Sequence, residues 1–408
     1  MKYLRFFLLF FSICSCSLLL GQTKGVEKKT AKNSIEKLSI REIDSLFDIK
    51  NNQSKINDLK LFMDDLFKEM NGSALIVIND TFVIRKTKGV IRFYDHKKGY
   101  ETWTKEEMNR GRKKKENQLQ RETLFDLASI AKQFTAAAVL KLVSEKKITL
   151  KDTLAVFFPK IPYPQVTIHQ LLSHTSGIPD YIDFPEKWSD VNQWMSNAEL
   201  IELLIAQKPP VDFLPGTNFA YCNTNYALLA SIVAQVSNMT FEEYMRQNIF
   251  IPAGLTNTLY ITELEDNKKH SVAKGHLRSR EELAPDFYQN GVIGDKGLYS
   301  NPDDLYKWKI AFFDLKNIIP AFWVEKATVK ENYIKGKAVA REIYGYGLHI
   351  EENAHYGKLI YHGGLWRGFH NLFIYRPSDN VLIIYLSNYR NRSHNGKGNE
   401  VLHILDGA

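Results

Sequence analysis

Residues 125–154 read FDLASIAKQFTAAAVLKLVSEKKITLKDTL. The stretch predicts one long helix over Ser129–Val143, and its small residues Ala131, Ala136, Ala137 and Ala138 suit a helix enclosed by close neighbours. At its start Ser129 and Lys132 stand three apart, on one helical face, where a lysine amine can reach a serine hydroxyl and take its proton. The apolar lead-in Leu124-Phe125-Asp126-Leu127-Ala128 delivers Ser129 to the first turn, where the helix dipole favours developing negative charge. Burial there lowers a lysine from its usual pKa of about 10.4 towards that of a working base. A serine in this position also suits a helix cap, and local sequence alone leaves both readings open.

Spacing alone is uninformative. Ser-x-x-Lys occurs four times, at Ser34/Lys37, Ser129/Lys132, Ser144/Lys147 and Ser271/Lys274. Ser34 falls in a polar segment, Ser144 at the polar end of a helix and Ser271 in a polar loop, so only Ser129 has a buried-helix context.

Outward from this helix the chain alternates in type. Leu59, Phe62, Met63, Leu66 and Phe67 fall at helical spacing between Ile56 and Met70, with Gly72 as the expected stop. Ala74–Ile78 and Phe82–Lys86, joined by Asn79-Asp80-Thr81, read as an antiparallel hairpin. From Thr167 to Asn290 the apolar spacing is mostly helical, broken at Gly177, Pro209-Pro210, Pro215-Gly216, Pro252 and Gly254. Strand patterns return at Tyr344–Ile350, Lys358–His362, His370–Tyr375 and Val381–Ser387. Strands at both ends around a helical middle predict an α+β fold: an antiparallel sheet flanked by helices, with an inserted all-helical subdomain at about 155–290.

The chain has 408 residues, 44% of them hydrophobic and 25% charged, enough for a large core and far from a disordered composition. Fifty-four Lys and Arg against 46 Asp and Glu give +8, which over this length speaks to solubility and does not indicate a nucleic-acid partner. Lys2 and Arg5 precede an apolar run from Phe6 to Leu20; as a helix it would reach about 22 Å, short of a hydrocarbon core of about 30 Å. Residues 1–21 therefore read as a secretory signal rather than a transmembrane span, which makes the protein exported, periplasmic or extracellular. A lipoprotein signal with Cys16 bearing lipid is the alternative, disfavoured because Leu18, Leu19 and Leu20 continue the apolar run. Residues 22–55 read as a polar tether and 56–408 as the functional domain. Once Cys14 and Cys16 leave, Cys222 stands alone among apolar and aromatic neighbours and reads as a buried residue that cannot form an intramolecular disulfide. Seven cations and four acids between Lys105 and Glu122, with no interleaved aromatics, read as a solvated loop.

Several further strings resemble one family. Residues 125–154, VTIHQLLSHTSGIPDY (166–181), FLPGTNFAYCNTNYALLA (213–230), GDKGLYSNPDDLYKW (294–308), YGYGL (344–348) and YHGGLWRGFHNLFIYRPSDNVLIIYLSN (361–388) resemble, in order, blocks of the serine β-lactamase and penicillin-recognising hydrolase superfamily, in its class C-like branch. The resemblance runs from about residue 55 to 400. It implies Ser129 as nucleophile, Lys132 as base, and Tyr221 with Asn223 placed over them; Tyr-x-Asn also recurs at Tyr288/Asn290 and Tyr389/Asn391, and block order selects Tyr221. A tyrosine held between cations is expected to ionise more readily than usual and to share proton transfer with Lys132. His362-Gly363-Gly364 stands where the family often has Lys-Thr-Gly; the departure favours peptidase or esterase activity over β-lactamase. His362 is expected to donate to, or hold positive potential near, the Tyr221 and Lys132 pair. Gly363 and Gly364 are expected to let substrate approach an edge strand, with the backbone N–H groups of Ser129 and Leu365 as oxyanion donors. His174-Thr175-Ser176-Gly177 is expected to shape a turn, and Arg367 to stand at the cleft mouth, where it would hold a substrate carboxylate.

The resulting expectation is an exported serine hydrolase acting through an acyl-enzyme on a small-molecule or peptide substrate, a D-amino-acid peptide or an ester before a β-lactam, with no metal or cofactor. The competing reading is a catalytically silent module that binds cell-wall peptides or a protein partner. Metal hydrolysis lacks a His-Glu-x-x-His string, and His169 and His174 are five apart, poorly placed for one helical face.

Overall fold

A computed structural model of the chain describes residues 49–93, 115–264, 271–276, 287–331, 343–390 and 396–407. The segments read as signal peptide, most of the tether, Cys16 and residues 105–114 of the basic loop lie outside the described residues. Residues 1–54 and 55–408 are separate units, and the sheets and the functional side chains all belong to the second.

The opening helix α1 spans Ile49–Glu69, starting earlier than its apolar stripe because opening turns need no buried face: Gln53 and Ser54 are exposed. Gly72 is not its stop. It is the first residue of β1 (Gly72–Ile78), where a Cβ would lie 2.1 Å from the Leu386 carbonyl oxygen, so the residue serves strand packing. β1 turns through Asn79 and Asp80, both at positive φ, into β2 (Phe82–Lys88). After β3 (Phe125–Asp126), a 3₁₀ turn at Ala128–Ala131 runs into α2 (Lys132–Ser144), buried along almost its whole length as its alanines predict. The helical middle carries α3 (Asn197–Gln207) and α4 (Asn223–Ser237). It is not wholly helical: β4 (Leu259–Tyr260) pairs with β5 (Leu298–Ser300), which also pairs with β3. This small sheet fastens the insertion to the segment that leads into Ser129.

The chain closes with β6 (Ile343–Tyr344), β7 (His349–Asn353), β8 (Gly357–Trp366), β9 (Phe369–Arg376) and β10 (Val381–Ser387), then α5 (Lys397–Asp406). The expected single strand at Tyr344–Ile350 is instead a tight hairpin, with Gly347 at positive φ pressed against the Lys132 and Gln133 backbone. The large sheet has the order β2-β1-β10-β9-β8-β7-β6, with every pair antiparallel. β1 and β10, mostly apolar runs buried at every position, are adjacent inner strands next to the β2 edge, as continuous hydrophobic strands covered on both faces must be. β7 pairs with β8 only as far as Tyr361, so residues 362–366 continue beyond it towards the turn that carries Ser129.

Candidate active site

Ser129 lies in the 3₁₀ turn between β3 and α2, just after Ala128, whose φ of +48° is rare for a residue with a side chain. Three contacts hold that turn: Asp126 Oδ1 accepts from the Ala128 N–H at 2.8 Å, the Leu127 N–H donates to the Leu298 carbonyl at 2.8 Å, and Asn371 Nδ2 donates to the Asp126 carbonyl at 2.7 Å. Desolvation pushes the fully buried Asp126 carboxyl up to about 7.

Lys132, one helical turn on, is fully buried. Its ammonium donates to Ser129 Oγ at 3.0 Å, Asn223 Oδ1 at 2.7 Å and the Asp295 carbonyl at 2.9 Å, which uses all three protons. Burial brings it down to about 8, against the opposing pull of Asp295 and Asp180. Asn223, first residue of α4, is fixed in turn: its backbone N–H and Nδ2 both donate to Asp180 Oδ2, at 2.9 and 2.7 Å.

The Tyr221 ring lies 4.9 Å from Lys132 Nζ, and its buried hydroxyl faces Ser129 without a formed hydrogen bond. The expectation that Tyr221 ionises readily is reversed. Burial pushes its phenol well above 10, outweighing the Ser129 hydroxyl that lowers it, so it stays protonated. The turn that positions it is His174–Gly177, as expected: His174 and Gly177 both take positive φ, the Gly216 N–H donates to the Thr175 carbonyl at 2.8 Å, and the Cys222 N–H donates to His174 Nδ1 at 3.1 Å. A Cβ on Gly177 would sit 2.0 Å from the Phe213 carbonyl oxygen, so the two loops pack backbone to backbone. Cys222 is buried, with its thiol pushed up by desolvation.

His362 lies behind Tyr221, ring centroids 6.1 Å apart. Its Nδ1 meets the Gly363 carbonyl at 2.6 Å and its Nε2 the Tyr344 hydroxyl at 3.0 Å; a carbonyl only accepts, so Nδ1 carries the proton and Tyr344 donates to Nε2. Positive potential from His362 is corrected by its surroundings: burial, with His349 and Lys132 nearby, holds it well below 6.5 and neutral. The adjacent glycines differ. A Cβ on Gly363 would make only an ordinary contact, 3.9 Å from the Asn371 carbonyl oxygen, whereas a Cβ on Gly364 would lie 2.2 Å from the Leu127 carbonyl oxygen, so Gly364 is needed for β8 to pack on the turn that carries Ser129.

A cavity of about 550 Å³ opens over these groups, lined among others by Ser129, Tyr221, Asn223, Gly363, Gly364, Leu365 and Trp366. Lys132 and His362 stand behind its wall. Arg367 is not among the lining residues; its guanidinium lies over the Phe287 ring at 4.5 Å. Sequence reading missed three members of the site: Asp180, Asp295 and Lys296. Lys296 sits inside GDKGLYS, yet only the folded chain brings it to the cavity wall.

The β-lactamase family model matches residues 67–406. The chain belongs to the β-lactamase family. This β-lactamase-family chain is 30% identical over 308 residues to a protein named penicillin-binding protein 4* from Bacillus subtilis, covering 72% of this chain and 65% of that one. It is 28% identical over 253 residues to a D-aminopeptidase of Brucella anthropi, covering 60% of this chain and 46% of the relative. The chain thus spans less than two thirds of the length of each of these two relatives. A penicillin-binding protein of Bacillus halodurans superposes with a TM-score of 0.68 at 24% identity, covering 86% of this chain and 98% of that one, a likeness of fold.

Proposed function

We propose that this protein is an exported hydrolase that cleaves an amide or ester, D-amino-acid peptides first, through an acyl-enzyme on Ser129. Lys132 carries the reading. When its ammonium gives up one proton, two N–H donors remain for Asn223 Oδ1 and the Asp295 carbonyl, and the lone pair turns to Ser129 Oγ at 3.0 Å. With a value of about 8, roughly one molecule in ten is in that form at neutral pH.

Ser129 Oγ then attacks the carbonyl carbon while Lys132 takes the proton. The oxygen of the tetrahedral intermediate faces the backbone N–H groups of Ser129 and Leu365, each worth about 3 kcal/mol. Tyr221, kept protonated, donates to the departing nitrogen or oxygen and regains a proton from Lys132. The amine or alcohol leaves, and water attacks the acyl-enzyme by the reverse sequence, restoring Ser129. Gly363 gives the substrate room beside β8. His362 serves by holding Tyr344 and the ring cluster around Tyr221. The His-Gly-Gly string and the D-aminopeptidase relative support peptide or ester over β-lactam. Residues 1–21, read as a signal peptide with 22–55 as a tether, support export.

A fluorophosphonate probe should label the wild type and leave Ser129→Ala unlabelled. Equal labelling of both would overturn the assignment, and a wild type inert to the probe and to nitrophenyl esters would favour the silent binding module.

A further inference from the structure

Acyl transfer through Ser129, Lys132 and Tyr221 leaves a second buried lysine without a role. Lys296 lines the cavity beside Ser129 but offers the substrate no free proton: its ammonium donates to the Tyr181 hydroxyl at 2.6 Å and to the Gln289 and Val292 carbonyls, both at 2.8 Å. The Trp366 ring lies 5.1 Å from its Nζ. The Tyr181 hydroxyl in turn donates to Asp295 Oδ2 at 3.0 Å, and Asp295 Oδ1 is 3.8 Å from Lys296 Nζ. The main-chain carbonyl of the same Asp295 takes the third proton of Lys132 at 2.9 Å. The two lysines therefore share one aspartate, Lys296 through its carboxylate and Lys132 through its backbone.

We propose that Lys296 is a positioning residue: it clamps Tyr181 and Asp295 so that the Asp295 carbonyl holds Lys132 against Ser129, and its charge offsets the Asp295 carboxylate so that Lys132 can give up a proton. The proposal rests on Lys132 acting as the base. Asp295 and Asp180 favour the Lys132 ammonium, the Cys222 thiol adds weakly to them, and Lys296 opposes them. The Tyr221 and Tyr226 rings face Lys132 Nζ at 4.9 and 5.7 Å, and His174, His349 and His362 are held neutral by burial. Lys296 itself faces Asp295, Asp126, Asp180 and Tyr181. Without it the carboxylates act on Lys132 unopposed.

The test uses the full chain with ¹³Cε-labelled lysine, the Lys132 resonance being the buried signal lost in Lys132→Met. Its titration midpoint should move up by about one pH unit in Lys296→Met and stay near wild type in Lys296→Arg. Nitrophenyl ester hydrolysis at neutral pH should fall about tenfold in Lys296→Met and recover as the pH is raised. An unmoved midpoint in folded Lys296→Met overturns the proposal. Should that variant not fold, Tyr181→Phe, which removes the oxygen joining Lys296 to Asp295, is expected to raise the midpoint, and no movement there overturns it equally. If the midpoint moves while even the wild type hydrolyses no ester, the clamp stands and the hydrolase reading fails.

Discussion

Replacing Lys132 with methionine should abolish turnover and, at neutral pH, make the fold more stable. Burial brings the Lys132 ammonium from 10.5 to about 8, and at 1.36 kcal/mol per unit the folded chain bears a cost of about 3 kcal/mol. The sign follows from proton counting. Between about pH 8 and 10.5 the unfolded lysine is protonated and the folded one is not, so stability rises with pH across that window. Below about pH 8 both are protonated and the cost is present in full. Methionine removes it but leaves Asn223 Oδ1 and the Asp295 carbonyl without the Lys132 protons, a loss of about 1 kcal/mol each. The net expectation is a gain of about 1 kcal/mol at pH 7, turning into a loss of about 2 kcal/mol near pH 10.5. Urea unfolding of both proteins at the two pH values measures this, and acylation of the variant should fall about a thousandfold. The wild-type rate on an ester should itself climb roughly 90-fold from pH 6 to 9, in proportion to the neutral amine. A methionine variant less stable by 2 kcal/mol or more at pH 7, or a flat wild-type profile, would refute the reasoning.

Tyr221→Phe removes a buried hydroxyl that has no hydrogen-bond partner among the described residues, so stability should change by less than about 0.5 kcal/mol while acyl transfer falls about 100-fold. Melting curves beside single-turnover kinetics separate the two, and unchanged turnover would remove Tyr221 from the proton path. Alanine at the two glycines of β8 should have unequal effects. At 364 the new Cβ meets the Leu127 carbonyl oxygen at 2.2 Å and should cost about 2 kcal/mol with loss of probe labelling. At 363 the nearest atom is 3.9 Å away, and stability should hold. Greater destabilisation at 363 than at 364 would contradict the packing of β8 on the turn that carries Ser129.

The parts of this protein legible in its sequence are those set by local pattern. β10, Val381–Ser387, is found at its expected bounds because an uninterrupted apolar strand signal needs no tertiary information. The buried helix after Ser129 is equally plain from its alanines. β8 runs four residues past its expected end at His362, since Gly363 and Gly364 weaken strand propensity and only the close fit to the Leu127 carbonyl accounts for them. Gly72 misleads for a related reason: a glycine after a helix resembles a cap, and the opposing Leu386 carbonyl lies more than 300 residues away in sequence. Charge states are the least accessible. Expected neighbours suggest a readily ionised Tyr221 and a positive His362, whereas desolvation, which depends on everything packed around them, governs both. Lys296 and Asp295 carry no motif of their own and gain their meaning from Tyr181, more than 100 residues earlier.

The pairing of β1 with β10 joins the earliest and latest of the described strands, Gly72 opposite Ser387. Until β10 arrives, the hairpin of β1 and β2 presents a bare, largely apolar edge of the kind that recruits other chains. A product truncated anywhere before residue 381 should therefore aggregate rather than persist as a partly folded fragment, and the intact chain should refold slowly, because the β1–β10 register waits on a closure of more than 300 residues.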